Sequence, residues 1–339
     1  MILPFYQLLF IITSPGYCKF IRYKGGADEE PNFRIVGGHV ASIRNAPFLA
    51  SLQRKVDKEF RHICGAVIVS KLYLLTAAHC LVNLEDDNSY TVSKPKWHIV
   101  RTGSKYAERG RVTKVQAFFV HEDFDPIEFF YDFGAIALAS DLKFGRNTQP
   151  AVLPEGNISE TSALLNHYNE GRITCKAYGW GVTTPRSFTA RSFTALRVVE
   201  LRLLSVKLCE GILIEKKSKI YSFGLLNKNG SLCTLEESEE KDTCMGDSGG
   251  PLSCNGVIWG LVSWGEGCAR TGYPGVYSRV DVAKNWLKEV VYSIPIRHRR
   301  YSYEESSARH NLIILDQKII IMLILNVFFI IYITNYLSI

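Results

Sequence analysis

Asp242-Thr243-Cys244-Met245-Gly246-Asp247-Ser248-Gly249-Gly250-Pro251 decides how the rest of this chain is read. A candidate nucleophile, Ser248, stands among glycines that accept backbone geometry other residues refuse. Such a run leaves main-chain N–H groups free to face an anion. A carboxylate, Asp242, precedes the serine by a few residues, and Cys244 can pin the loop. By itself the run could equally be a solvated turn.

Other segments answer to it. Thr76-Ala77-Ala78-His79-Cys80 sets a histidine beside a cysteine, and Tyr131-Asp132-Phe133 leads an aspartate into the apolar run Ala135-Ile136-Ala137-Leu138. Ile35-Val36-Gly37-Gly38 follows Arg34, while Ser263-Trp264-Gly265 and Pro274-Gly275-Val276-Tyr277 lie downstream. Together these motifs resemble the trypsin-like serine proteases of the chymotrypsin family, from about Ile35 to about Tyr292. The order His, Asp, Ser along the chain is that family's order.

The resemblance implies an all-β fold of two antiparallel Greek-key barrels, with the active site in the cleft between them and a short C-terminal helix. The residues agree. Short β-branched and aromatic runs such as Ala66-Val67-Ile68-Val69 alternate with turn residues. From Val282 to Val291 the apolar spacing is helical, with Trp286 and Val290 four apart.

A serine hydroxyl is a poor nucleophile until a base takes its proton, and histidine titrates near neutrality. The resemblance makes His79 that base, Asp132 its orienting carboxylate and Ser248 the nucleophile. His62, His98, His121 and His167 stand outside the matching motif. Asp123 and Asp125 compete with Asp132, because Phe133-Gly134 interrupts the usual sequence after the aspartate. Asp132 is preferred since the apolar strand that follows keeps its length. The N–H groups of Gly246 and Ser248 would form the oxyanion hole.

Asp242, six residues before Ser248, matches the family's carboxylate at the floor of the specificity pocket. A buried carboxylate favours a cationic partner. Thr243 and Ser263 would line the pocket, with Gly265 and Gly275 at the wall positions that keep it open. The implied cleavage is after Arg or Lys. The resemblance also makes Arg34–Ile35 an activation bond, cut by a trypsin-like protease, after which the Ile35 amine would pair with Asp247. Protein inhibitors are expected partners. Pro274 and the lack of a Glu cluster between Tyr106 and Gly110 argue against sodium and calcium sites, so no metal and no cofactor are expected.

Nine cysteines suit an oxidising compartment, and spacing alone does not set their pairing. The resemblance implies Cys64–Cys80, Cys175–Cys254, Cys209–Cys233 and Cys244–Cys268. Cys18 is then odd, and Val152 stands where some relatives carry its acceptor, so activation is expected to release the N-terminal peptide. The cysteine spacings lack a zinc-ligand pattern.

The chain has 339 residues, 47% hydrophobic and 22% charged, with a formal net charge of +7. Its basic residues do not form one patch interleaved with aromatics, the cluster Arg297-His298-Arg299-Arg300 being the one local exception, so a solvated basic surface is expected and nucleic-acid binding is not. Residues 1–16 read as a secretory signal, with the apolar run 2–12 ahead of Ser14-Pro15-Gly16. Residues 17–34 follow as a propeptide, 35–293 as the protease domain, 294–318 as a linker and 319–339 as a hydrophobic tail. That tail is barely long enough to span a bilayer, and the basic cluster Arg297–Arg300 lies on its protease side. Small residues at Ser306-Ser307-Ala308 leave a GPI signal open, giving a secreted or membrane-attached protein. Arg186-Ser187-Phe188-Thr189-Ala190 repeats as Arg191-Ser192-Phe193-Thr194-Ala195, too short a unit for a repeat fold and offering Arg–Ser bonds to self-cleavage. Asn157-Ile158-Ser159 and Asn229-Gly230-Ser231 are glycosylation sequons. A catalytically silent homologue acting as a binding module is the alternative from another class, although this chain keeps Ser, His and Asp.

Overall fold

The computed structural model describes residues 38–170, 173–181, 195–216, 218, 224–228, 230–236, 241–267 and 270–292. Cys18, Arg34, Ile35, the tandem repeat up to Thr194, Asn229, Cys268, the basic cluster 297–300 and the hydrophobic tail fall outside the described residues. By its contacts the chain separates into a unit ending at Leu287 and a second from Lys288, of which only the end of the last helix is described.

A short strand, β1 (His39–Val40), precedes the first barrel. Next come β2 (Leu49–Val56), β3 (Glu59–Ile68) and β4 (Tyr73–Thr76), then the small hairpin β5 (Val82–Leu84) and β6 (Tyr90–Val92). β7 (His98–Thr102), β8 (Arg111–Val120) and β9 (Gly134–Leu138) complete the set. These strands close antiparallel in the order β2-β3-β4-β9-β8-β7 around Leu52, Ile68, Leu74, Val100, Ile136 and Leu138.

After helix α1 (Ile158–Glu170) come β10 (Thr174–Gly179), β11 (Arg197–Leu204), α2 (Val206–Glu215), α3 (Leu225–Lys228) and β12 (Ser231–Thr234). The chain then runs through β13 (Pro251–Cys254), β14 (Val257–Gly265), β15 (Gly275–Arg279) and α4 (Val280–Tyr292). Pairing follows β11-β10-β13-β14-β15-β12, and β12 pairs back onto β11, so a second six-stranded barrel closes around Leu201, Leu252, Trp259 and Tyr277. The fold is that of two antiparallel barrels with a C-terminal helix, as expected. Asn255 and Gly256 both take positive φ, 50° and 80°, in the two-residue turn between β13 and β14. Asn-Gly is the pair that this turn type favours.

Leu49, Tyr178, Trp180, Leu196 and Val198 pack as one cluster along the seam between the barrels. Three disulfides are described: Cys64–Cys80, Cys175–Cys254 and Cys209–Cys233. The first joins residues 16 apart, a closure that stabilises by about 3 kcal/mol in the chain-entropy picture. Cys209 and Cys233 are fully buried with Leu213 and Leu226, so the described part of the segment between them packs as helix at α2 and α3.

One irregularity positions the site. β3 pairs regularly with β2 except at one point: Leu52 faces Cys64, yet Gln53 faces His62. Ile63 is the extra residue of a β-bulge, which lets Cys64 join the barrel core while His62, two positions away, does not.

Candidate active site

The short 3₁₀ turn after β4, Ala78–Leu81, carries His79. Asp132 lies just before β9 and is wholly buried. Its Oδ1 accepts the main-chain N–H of His79 at 2.9 Å, and its Oδ2 lies 2.8 Å from His79 Nδ1. Ser263 Oγ donates to the same Oδ2 at 2.5 Å, and Ser278 Oγ donates to the Asp132 carbonyl at 2.7 Å. Burial alone would raise the Asp132 carboxyl. The His79 imidazole, with hydrogen bonds from His79 and Ser263, outweighs burial and holds it below the usual carboxylate range. Asp125, one competitor, instead accepts the N–H groups of Ile127 and Glu128 in a local turn.

Ser248 lies on the turn between Asp242 and β13. Its carbonyl accepts Gly65 N–H at 2.8 Å. Gly65 leaves no room for a side chain, since a Cβ there would lie 2.8 Å from the Gly250 Cα. Thus the Ser248 turn presses on β3 next to Cys64, whose disulfide to Cys80 braces the residue beside His79. Among the described residues no hydrogen bond joins Ser248 Oγ to His79 Nε2; that nitrogen lies 3.7 Å from Cys80 Sγ. Nor does the N–H of Gly246 or of Ser248 donate to any acceptor among them, and Gly246 takes φ 94°. Phe129, φ 59°, sets its ring 5.3 Å from the His79 ring.

Two buried groups hold the turn. Asp247 is wholly buried, its Oδ1 accepting Gly181 N–H at 2.7 Å and its Oδ2 accepting Cys244 N–H at 2.9 Å. The bare backbones of Gly179 and Gly181 make space for it, because a Cβ on either would collide with its carboxylate. Burial pushes the Asp247 carboxyl up to about 6 against those two N–H bonds. His62, set aside on sequence grounds, supports the same turn. Its Nε2 donates to the Gly246 carbonyl at 2.8 Å, and its Nδ1 lies 2.8 Å from Ser51 Oγ. Burial lowers His62 to about 4, and the bond to Gly246 only partly offsets this. The signal for His62 was its place two residues before Cys64.

Asp242 is 8% exposed, and its Oδ1 accepts Thr243 N–H at 2.7 Å. Gly275, across the strand pair, has no spare room: a Cβ there would lie 2.9 Å from Asp242 Oδ1. A small cavity adjoining the carboxylate is lined by Thr234, Lys241, Asp242, Arg270, Tyr273 and Gly275. Burial, and then the Asp242 charge, push the Tyr277 phenol upward, and Thr243 Oγ1 lies 3.4 Å from its hydroxyl. Gly265 ends β14 opposite Gly275. Cys244 is disulfide-bonded. A larger cavity lined by Ser162, Leu165, Glu210 and Arg279 shares no residue with this group.

Among the described residues, Cys64, His79 and Cys80 are a set close enough to share an ion, but their two sulfurs form a disulfide. No helix among them is long and apolar enough to cross a membrane.

The family model for trypsin matches residues 35–287. Trypsin alpha of Drosophila erecta is 33% identical over 264 residues, covering 77% of this chain and 89% of that protein. Trypsin 5G1 of Aedes aegypti is 33% identical over 259 residues, 76% of this chain and 85% of that protein. Hypodermin-B of Hypoderma lineatum is 32% identical over 266 residues, 78% of this chain and 90% of that protein. A match across both barrels and the whole candidate site places this chain in the trypsin family of serine proteases.

Proposed function

We propose that this chain is a secreted or surface-attached serine endopeptidase that cuts after Arg or Lys and is made as a zymogen activated at Arg34–Ile35. One observation carries the reading: a buried carboxylate orients His79 through Nδ1, and two main-chain N–H groups at Gly246 and Ser248 have no acceptor among the described residues. In the reaction His79 Nε2 takes the Ser248 proton as Oγ attacks the scissile carbonyl. The oxyanion is met by those two N–H groups, and Asp132 steadies the imidazolium. The proton then passes to the leaving amine, and water repeats the sequence on the acyl-enzyme. Asp242, buried opposite Gly275, supports a cationic side chain before the cut. Cleavage at Arg34 by a trypsin-like activator would supply the Ile35 ammonium to Asp247, a buried carboxylate without a cationic partner among the described residues. Protein substrates and inhibitors are the partners, and membrane attachment through the tail belongs to the same proposal.

A second reading, from another class, is a catalytically silent homologue acting as a binding or regulatory module. Treating the intact chain with trypsin and then with a fluorophosphonate probe separates the two. The protease reading requires labelling at Ser248, an Ile35 N-terminus, and cleavage of a peptide library after Arg or Lys. An Arg34→Gln chain should stay unlabelled. Absence of labelling after verified cleavage would establish the silent reading.

A further inference from the structure

Trp97 is 45% exposed at the foot of β7, on the outside of the first barrel. Its ring is flanked by two ammonium groups: Lys55 Nζ lies 5.7 Å from the ring centroid and Lys96 Nζ 5.3 Å. Lys55 arrives from β2, far earlier in the chain, because Arg54 pairs with His98 and brings the next residue alongside Trp97. In the same elements stand Arg54 and Lys58 on the β2–β3 hairpin, Lys94 before the 3₁₀ turn and Lys114 on β8 opposite Ile99, with Asp57 and Glu59 at the hairpin tip. Among the described residues no ion pair engages Arg54, Lys55, Lys58, Lys96 or Lys114. A basic surface around an aromatic ring therefore exists, built from the Lys94-Pro95-Lys96-Trp97 stretch together with Lys55 from β2.

We propose that this face binds a sulfated polysaccharide. The chemistry is that of an exposed ring between cations. The apolar C–H face of a pyranose lies flat on an indole once a flexible lysine stem that now lies over the ring swings aside, and sulfates on that sugar then meet the same ammonium groups. The architecture disfavours an acidic peptide. β2, β7 and β8 are each paired on both sides within a closed barrel, so there is no open edge for an added strand. A single ring likewise gives no succession of platforms for stacked bases. Lysine ammonium groups on flexible stems suit an array of sulfates of variable spacing.

The test uses the full chain and a size-defined heparin oligosaccharide, with N- and O-desulfated heparin, polyglutamate and a DNA oligonucleotide as comparators, followed by calorimetry at about 0.1 M salt, where exposed charges are already partly screened. Heparin should bind, and desulfated heparin should not. Trp97→Ala, which leaves the charge unchanged, should weaken binding about 5-fold or more, on the scale of a lost ring contact. Lys55→Gln with Lys96→Gln should weaken it at least about 10-fold, as for two lost charge contacts. Circular dichroism melts verify that each variant is folded. Equal binding by the wild type and Trp97→Ala would overturn the proposal, assigning the affinity to net charge or to the Arg297–Arg300 cluster. Polyglutamate or DNA binding as tight as heparin, with the same dependence on Trp97, would overturn it in favour of those partners.

Discussion

Ser263 Oγ and His79 Nδ1 meet on one oxygen, Asp132 Oδ2, at 2.5 and 2.8 Å, so a strand of the second barrel holds the carboxylate that orients the imidazole of the first. A hydrogen bond to a charged group contributes about 1.5–3 kcal/mol. Ser263→Ala is therefore expected to lower kcat/KM of the activated chain about 10-fold. The Asp132 carboxyl is held low in the folded state, so its stabilisation is present above its ordinary range and is lost as pH falls through the depressed value. Removing the Ser263 bond raises that value, and the acid-unfolding midpoint followed by circular dichroism should move to higher pH. An unchanged midpoint and unchanged kinetics would show that Ser263 does not support Asp132.

His62 and Asp247 act on the same turn with opposite pH signs. His62, lowered to about 4, stays neutral in the fold while an unfolded histidine protonates near 6.5, so its contribution is lost as pH falls from 6.5 toward 4. Replacing it with glutamine should flatten that loss in thermal melts. The same His62→Gln change loosens the Gly246 carbonyl and should reduce kcat more than it changes KM, by up to the 10²–10³ that a lost oxyanion donor costs.

Asp247, raised from 3.8 to about 6, runs the other way. In the intact chain the folded state keeps its proton where the unfolded state has lost it, so stability falls as pH rises from about 4 to about 6. The shift corresponds to about 3 kcal/mol. Melts of wild type against Asp247→Asn across that window should show the difference. After cleavage at Arg34 the slope should reverse, because an ammonium beside Asp247 favours its charged form. A slope that is the same before and after cleavage contradicts the proposed pairing.

Gly275→Ala sets a methyl group 2.9 Å from Asp242 Oδ1. The activated variant should lose at least about 10-fold in kcat/KM on Arg and Lys peptides, as when a pocket contact worth over 1.4 kcal/mol is removed. A variant that cleaves Arg peptides at the wild-type rate would move the specificity determinant away from Asp242.

Much of this molecule was legible in its residues for local reasons. The Asn255-Gly256 turn and the strand runs carry their own signals, and α4 shows in the Trp286–Val290 spacing. Other features depend on groups far apart in sequence. His62 looked idle because its acceptor, Gly246, is 184 residues away. Lys55 looked merely solvated because it reaches Trp97 only after β2 pairs with β7. α1 was overlooked for a different reason. Asn157-Ile158-Ser159 read as a sequon, yet Asn157 Oδ1 accepts Glu160 N–H while Glu160 Oε2 accepts Asn157 N–H, a reciprocal cap that starts the helix. In the sequence Asp132 is preferred to Asp125 only on the length of the strand that follows it; Ser263 and His79 converge on its carboxylate from segments far away in the chain.

The extra residue at Ile63 is a one-residue dislocation in an otherwise regular hairpin. Were β3 paired with β2 in unbroken register through that point, every residue from the hairpin tip to His62 would exchange faces. The imidazole would turn toward the barrel interior, the Gly246 carbonyl would lose its donor, and the basic platform at Lys55 would face different partners. A regularised, more ideal strand pair would thus make a tidier barrel and leave the Ser248 turn without its His62 support.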